Sequence, residues 1–290
     1  MHEHAHTAEK TTWFSIVGNV LLATLKAAVG FFGNSFALIA DAIESTTDIF
    51  SSVFVLLGIR YANKPPDENH PYGHGRAESL VTFIVVGFLI ASAFIIAWQS
   101  IMNIRTPHKL PESYTLWFLA VIILWKEISY QYVIRKSKET KSSSLKADAW
   151  HHRSDALTSV AAFIGISIAL IFGEGYESAD DWAALFSSAF ILYNCYHIFR
   201  PALGEIMDEN IHSEMEDEIR KISLTVEGVT DTEKLLIRKT GMTYHIELHA
   251  IVDGNIPVRK GHEISHKLKD KLKDEIPELG NVTIHIEPHE

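Results

Sequence analysis

The stretch Ala40–Asp48 reads A-D-A-I-E-S-T-T-D, and about a hundred residues later Ala147–Asp155 reads A-D-A-W-H-H-R-S-D. Both sit in long apolar runs. Both place ionisable groups at i, i+3 and i+7: Asp41, Glu44 and Asp48 in the first, Asp148, His151 and Asp155 in the second. At about 3.6 residues per turn, each trio falls on one face of a helix. A charged group at the centre of a bilayer costs about 2.5 kcal/mol or more, so such residues mark function before they mark packing. Glu44 with Asp48, and His151 with Asp155, are i, i+4 pairs that share a face. Three carboxylates and one imidazole make an N/O shell for a divalent ion. The plainer alternative, polar groups bonding inside a helix bundle, has to account for four such groups in two spans. Asp41 and Asp148 lie a turn nearer the start of each segment, where they orient ligands or solvate an access path.

Working outward, apolar runs of bilayer-spanning length, about 20 residues, fill the first two thirds of the 290-residue chain, 47% of which is hydrophobic. Six candidate spans emerge: Trp13–Phe32, Phe36–Ala62, Leu80–Ile104, Leu116–Ile134, Ala147–Phe172 and Trp182–Phe199. The first is followed by no small-residue cleavage site and reads as a retained helix. Arg60, Lys64 and Arg76 follow the second span, and Arg135, Lys136, Lys138, Lys141 and Lys146 follow the fourth. The loop Gly173–Asp181 has no Lys or Arg. By the positive-inside rule, the loops after spans two and four, and both termini, are cytoplasmic. The formal net charge of -10 argues against nucleic acid as a partner. Cys195 is the single cysteine, which excludes an internal disulfide and disfavours a thiolate copper site.

The last third is polar and patterned differently. Ser213–Ile222 is helical, with acids in its first turn. Thr232–Lys239 and Thr243–Val252 read as strands around the Thr240-Gly241 turn, and the second puts His245, Glu247 and His249 on one face. Val258–Glu275 has a helical period in Ile264, Leu268 and Leu272, and Asn281–Glu287 is a last strand carrying His285 and Glu287. The order α-β-β-α-β makes a small two-layer α+β domain. The expected division is a His-containing tail over 1–12, a six-helix transmembrane domain over 13–200, a linker over 201–212 and a cytosolic domain over 213–290.

Two further constellations carry metal-type chemistry. Asp67-Glu68-Asn69-His70-Pro71-Tyr72-Gly73-His74-Gly75 places two imidazoles beside two carboxylates in a turn-rich loop. The cytosolic domain gathers Glu233, His245, His249, His262, His285 and Glu287. His2, His4 and His6 form a short tail, either a weak metal collector or a terminus without a role. The chain holds no H-E-x-x-H, Walker loop or G-x-S-x-G, so uphill transport would draw on an ion gradient.

Six spans, the carboxylate/histidine pairs in spans two and five, the H-P-Y-G-H-G-R-A-E loop and the ending V-T-I-H-I-E-P together resemble the cation diffusion facilitators over about Trp13–Pro288. The resemblance implies no enzyme. It implies a homodimeric antiporter in the lipid of a bacterial inner membrane, exchanging protons for Zn2+, or for Fe2+, Mn2+, Cd2+ or Co2+. It also implies a ferredoxin-like cytosolic domain that dimerises and binds the metal as a regulator. On this resemblance the transport site falls on Glu44, Asp48, His151 and Asp155. A loop site falls on His70 and His74 with Asp67 or Glu68, and a binuclear cytosolic site on His249, His262, His285 and Glu287, with Glu233. Glu44 stands where family members usually carry Asp or His, Asn69 where some have a liganding Asp, Glu233 where His is common, and Glu287 where Asp also occurs. Rival classes are a membrane metalloenzyme that activates water, a metal sensor with a membrane anchor, and a passive channel; coupled metal and proton flux separates the antiporter from all three.

Overall fold

A computed structural model describes residues 2–32, 36–105, 114–173, 176, 178–210 and 213–289. Two compact units divide between Ala202 and Leu203, the extreme N-terminus being grouped with the second.

Six long helices build the first unit: α1 (His2–Phe32), α2 (Phe36–Ala62), α3 (Ala77–Arg105), α4 (Thr115–Thr140), α5 (Ser143–Phe172) and α6 (Ala179–Ile206). Among the described residues, α3, the stretch Leu116–Thr140 of α4, and α5 are long and apolar enough to cross a membrane. Ser15, Asn19 and Lys26 of α1 are polar side chains buried in the bundle. The first helix begins at His2, so the segment read as a tail is its first turns. The sixth runs through Pro201 to Ile206, so half of the segment read as a linker is helix.

The α4–α5 pair positions the chemistry. Lys141, in the left-handed region (φ 55°), ends α4 by returning its N–H to the Ser137 carbonyl, and α5 starts at Ser143. The two helices therefore fold back and pack closely along their length. Lys126 and Asp155 lie nearly equally far from this turn, about 21–23 Å along each axis, which brings them to one depth. Close approach of α1 to α4 needs Gly18: a Cβ there would stand 2.9 Å from Trp125 Cζ2. The contact registers Asn19 beside Lys126, one residue further along each helix. The helices α2 and α3 close up at Gly58, where a Cβ would stand 2.5 Å from Val81 Cγ2.

The second unit holds α7 (Ser213–Ser223), β1 (Asp231–Thr240), β2 (Thr243–Val252), α8 (Val258–Glu275) and β3 (Leu279–Pro288). The sheet order is β1-β2-β3, with β1 and β2 antiparallel and β2 and β3 parallel. Parallel pairing needs a crossover, and α8 provides it. Along β2 the buried residues alternate as Tyr244, Ile246, Leu248, Ala250 and Val252. They pack with Ile219, Ile222, Ile264, Leu268 and Leu272 into one core under the two helices. The other face of β2 carries His245, Glu247 and His249. The α-β-β-α-β order and this alternation agree with the sequence reading.

Candidate metal centre

Asp48 on α2 and His151 and Asp155 on α5 bring three potential ligand atoms within 4.8 Å of one another. His151 Nε2 lies 2.9 Å from Asp48 Oδ1 and 3.8 Å from Asp155 Oδ2. The imidazole is almost wholly buried, whereas 28% of the Asp155 side chain is accessible. Asp155 opens onto a cavity of about 90 Å3 whose lining includes Lys26, Ser45, Asp48, Lys126 and His151. The side chains of Glu44 and Asp41 lie outside the described residues, although both sit on α2.

One member of this cluster escaped the sequence reading. Lys126 on α4 places Nζ 2.9 Å from Asp48 Oδ2 and 2.7 Å from Asp155 Oδ2, and 3.3 Å from Asn19 Oδ1. The signal was present: a lysine in the middle of the span Leu116–Ile134 carries the same cost as a buried acid. A search for ligands looks for anions and imidazoles and passes over a cation.

Behind the cluster lies a second polar layer. Asp148, fully buried, accepts hydrogen bonds from Ser15 Oγ at 2.7 Å and Ser52 Oγ at 3.0 Å. The His152 ring lies 3.2 Å from Ser15 Oγ. Asn19 Nδ2 donates to Ser52 Oγ and to the Asp48 carbonyl. Asp148 thus takes no part in the three-ligand cluster and ties α1, α2 and α5 together. Arg153 points away, to Glu127 at 3.2 Å and over the Tyr130 ring.

In the loop, Asp67 supplies the acid and Glu68 does not join the cluster. Asp67 Oδ1 receives the backbone N–H of Asn69 and His70 and sits 3.0 Å from His70 Nδ1. Its Oδ2 lies 3.3 Å from His74 Nε2. Desolvation is the largest single influence and opposes the Asp67 charge, but backbone and side-chain hydrogen bonds from His70, with the nearby His70 and His74 rings, together hold the carboxyl below its usual range.

The cytosolic cluster follows from strand register. His249 on β2 pairs with His285 on β3, and Ile251 pairs with Glu287. His249 Nδ1 lies 2.5 Å from Glu287 Oε1, and His285 Nε2 lies 3.7 Å from the same oxygen. Hydrogen bonding with Glu233, then with His249, holds Glu287 below the usual glutamate range. His262 is not brought to this group. It sits at the start of α8, its ring 4.4 Å from that of His266, and lines a separate cavity of about 390 Å3 with Asp253, Ile284 and Ile286. The reason is the orientation of α8, which spends its apolar face on the sheet and leaves its first turn at the strand ends.

A helical bundle with buried carboxylates and imidazole, joined to a metal-binding-type α+β domain, defines an integral membrane transporter of divalent cations. Comparison with known proteins agrees. Residues 12–207 match the cation efflux transmembrane domain and residues 211–289 the cation efflux protein cytoplasmic domain. Similar proteins include the manganese efflux system proteins MneP and MneS of Bacillus subtilis. MneP is 28% identical over 99% of this chain and 98% of its own, and MneS 30% over 100% and 98%. Magnetosome protein MamB of Magnetospirillum gryphiswaldense is 25% identical over 97% and 94%. A solved MamM CTD in its nickel form aligns with 27% of this chain and 99% of its own, at 20% identity and a TM-score of 0.27. The chain belongs to the cation diffusion facilitator family: it is a divalent-metal efflux transporter, not an enzyme. The cytoplasmic-domain match supports a homodimer that interacts with metal ions.

Proposed function

We propose that this chain exchanges protons for a divalent transition-metal ion at Glu44, Asp48, His151 and Asp155. The observation that carries the reading is the convergence of Asp48, His151 and Asp155 beside a cavity between helices that belong in a membrane. Metal enters from the cytosol and binds deprotonated ligands, so affinity falls with pH. Rocking of the helices exposes the site to the other side. There protons displace the metal, taken by His151 because imidazole titrates nearest neutrality. Return of the protonated carrier couples the two fluxes.

Both termini face the cytoplasm of a bacterial plasma membrane, on the strength of the Lys/Arg-rich loops after α2 and α4. Asp67, His70 and His74 concentrate metal near the entrance. His249, His285 and Glu287, with Glu233 alongside and His262 reaching in from a rearranged or neighbouring subunit, read the cytosolic metal level. Residues 213–290 then act as the dimerising sensor and 13–200 as the carrier.

The imidazole donor favours Zn2+ as cargo. Mn2+ is the second reading, favoured by the predominance of carboxylate oxygens and by two relatives named for manganese efflux. Purified protein in liposomes, with an internal pH dye and a panel of Zn2+, Mn2+, Fe2+, Co2+ and Cd2+, tests the proposal. Metal uptake with matching proton movement supports it; metal flux that leaves the pH unchanged reduces the protein to a channel.

A further inference from the structure

A lysine in mid-bilayer needs acceptors, and Lys126 finds them in Asp48 and Asp155. Both bonds use Oδ2. An ion held by those two oxygens at about 2.0–2.2 Å and an ammonium held by the same atoms stand only a few ångströms apart. At that range a divalent and a monovalent cation repel by many times the thermal energy. Only one of them can hold both carboxylates. The structure also supplies a standby partner. Asn19 commits its Nδ2 to Ser52 and to the Asp48 carbonyl and turns Oδ1 toward Lys126 Nζ, at 3.3 Å. Gly18, packed against Trp125, fixes this neighbourhood.

We propose that Lys126 is a tethered cation that exchanges places with the transported metal on Asp48 and Asp155. The proposal rests on reading those residues as the transport site. Metal entry moves the ammonium from the carboxylates toward Asn19; metal release brings it back. The fixed positive charge weakens metal binding, which hastens release. It also neutralises the carboxylates while the metal-free carrier reorients, when a bare anionic site would be costly in a low-dielectric bundle. Lys126 therefore trades affinity for turnover.

The test is calorimetric titration of the purified full-length protein with Mn2+ and with Zn2+, together with transport in liposomes. Asp67→Asn, His249→Ala and His285→Ala are present throughout to silence the exposed clusters. In this background Lys126→Met should tighten binding by about tenfold or more and lower both KM and kcat. Lys126→Arg, which keeps the charge, should retain weak binding. Adding methylammonium to Lys126→Ala should restore the weak binding of the parent, an effect that a merely structural lysine would not give; both of these variants report even where Lys126→Met folds poorly. Binding no tighter than the parent in Lys126→Met and in Lys126→Ala without methylammonium overturns the proposal. Asp155→Asn separates the two levels. If it binds and transports like the parent, the transport-site reading fails; if it loses both while the Lys126 variants bind no tighter than the parent, only the exchange fails.

Discussion

Asp48, His151 and Asp155 in the bundle, and His249, His285 and Glu287 on the sheet, are similar donor sets in opposite surroundings. Asp48 and His151 are 13% and 5% accessible, with Asp155 at 28%; on the sheet His249 and Glu287 are also partly enclosed, and His285 makes the difference at 62%. Within the described part of the buried cluster a lysine bridges the two aspartates, and serines and an asparagine hold the layer behind. On the sheet the glutamate is shared among two imidazoles and a second carboxyl, with water available to do the rest. Burial makes loss of either aspartate costly, because it strands the groups that aspartate paired with in low dielectric. The exposed His285 ring is freer to adjust, as the proposed sensing role requires.

Breaking the buried set should have the largest effect. Asp48→Ala or Asp155→Ala should cut liposomal metal uptake by about a hundredfold or more, with the dimer intact by gel filtration. Robust uptake by either would remove the distinction between the two clusters. Next, Glu44→Asp and Glu44→His should reorder metal preference by about tenfold, or 1.4 kcal/mol, read as initial rates over the metal panel; an unchanged ranking would show that Glu44 does not select. Removing the exposed set with His249→Ala and His285→Ala should lower metal-stimulated transport only about fivefold, seen as a right-shifted dependence on cytosolic-side metal. A loss as deep as that of Asp48→Ala would make the cytosolic cluster part of the carrier.

The smallest effect is on pH dependence. The Glu287 carboxyl is depressed below its ordinary value of 4.5. A depressed carboxyl contributes stability that is present above its unfolded pKa and lost as pH falls through the folded one. The difference in hydrogen-exchange protection of β3 between the parent and Glu287→Gln, in chelator, should therefore persist as pH drops through 4.5 and vanish only below it. A difference that disappears above that value would mean Glu287 is not held by Glu233 and His249.

Much of this contrast was legible in the chain. The i, i+3, i+7 spacing around Asp48 and His151 forces a common helix face whatever the packing, and alternation in Thr243–Val252 forces His245, Glu247 and His249 off the core. What spacing could not give was the partner across space. The choice of Asp67 over Glu68 depends on a turn in which Asp67 caps its own loop. The separation of His262 depends on which face α8 buries. Lys126 depends on the short α4–α5 turn, which sets the depth at which two distant residues meet. Local periodicity fixes faces; register between elements is fixed by packing.

The central claim is that metal and Lys126 share Asp48 and Asp155. Anomalous diffraction from crystals of the full chain loaded with Mn2+ or Zn2+ tests it most directly. The account predicts an ion peak about 2.0–2.2 Å from Asp48, His151 and Asp155 ligand atoms, with Lys126 Nζ moved off both carboxylates. Peaks confined to the loop and cytosolic clusters, or an ion at Asp48 and Asp155 with Lys126 still bridging them, would contradict it.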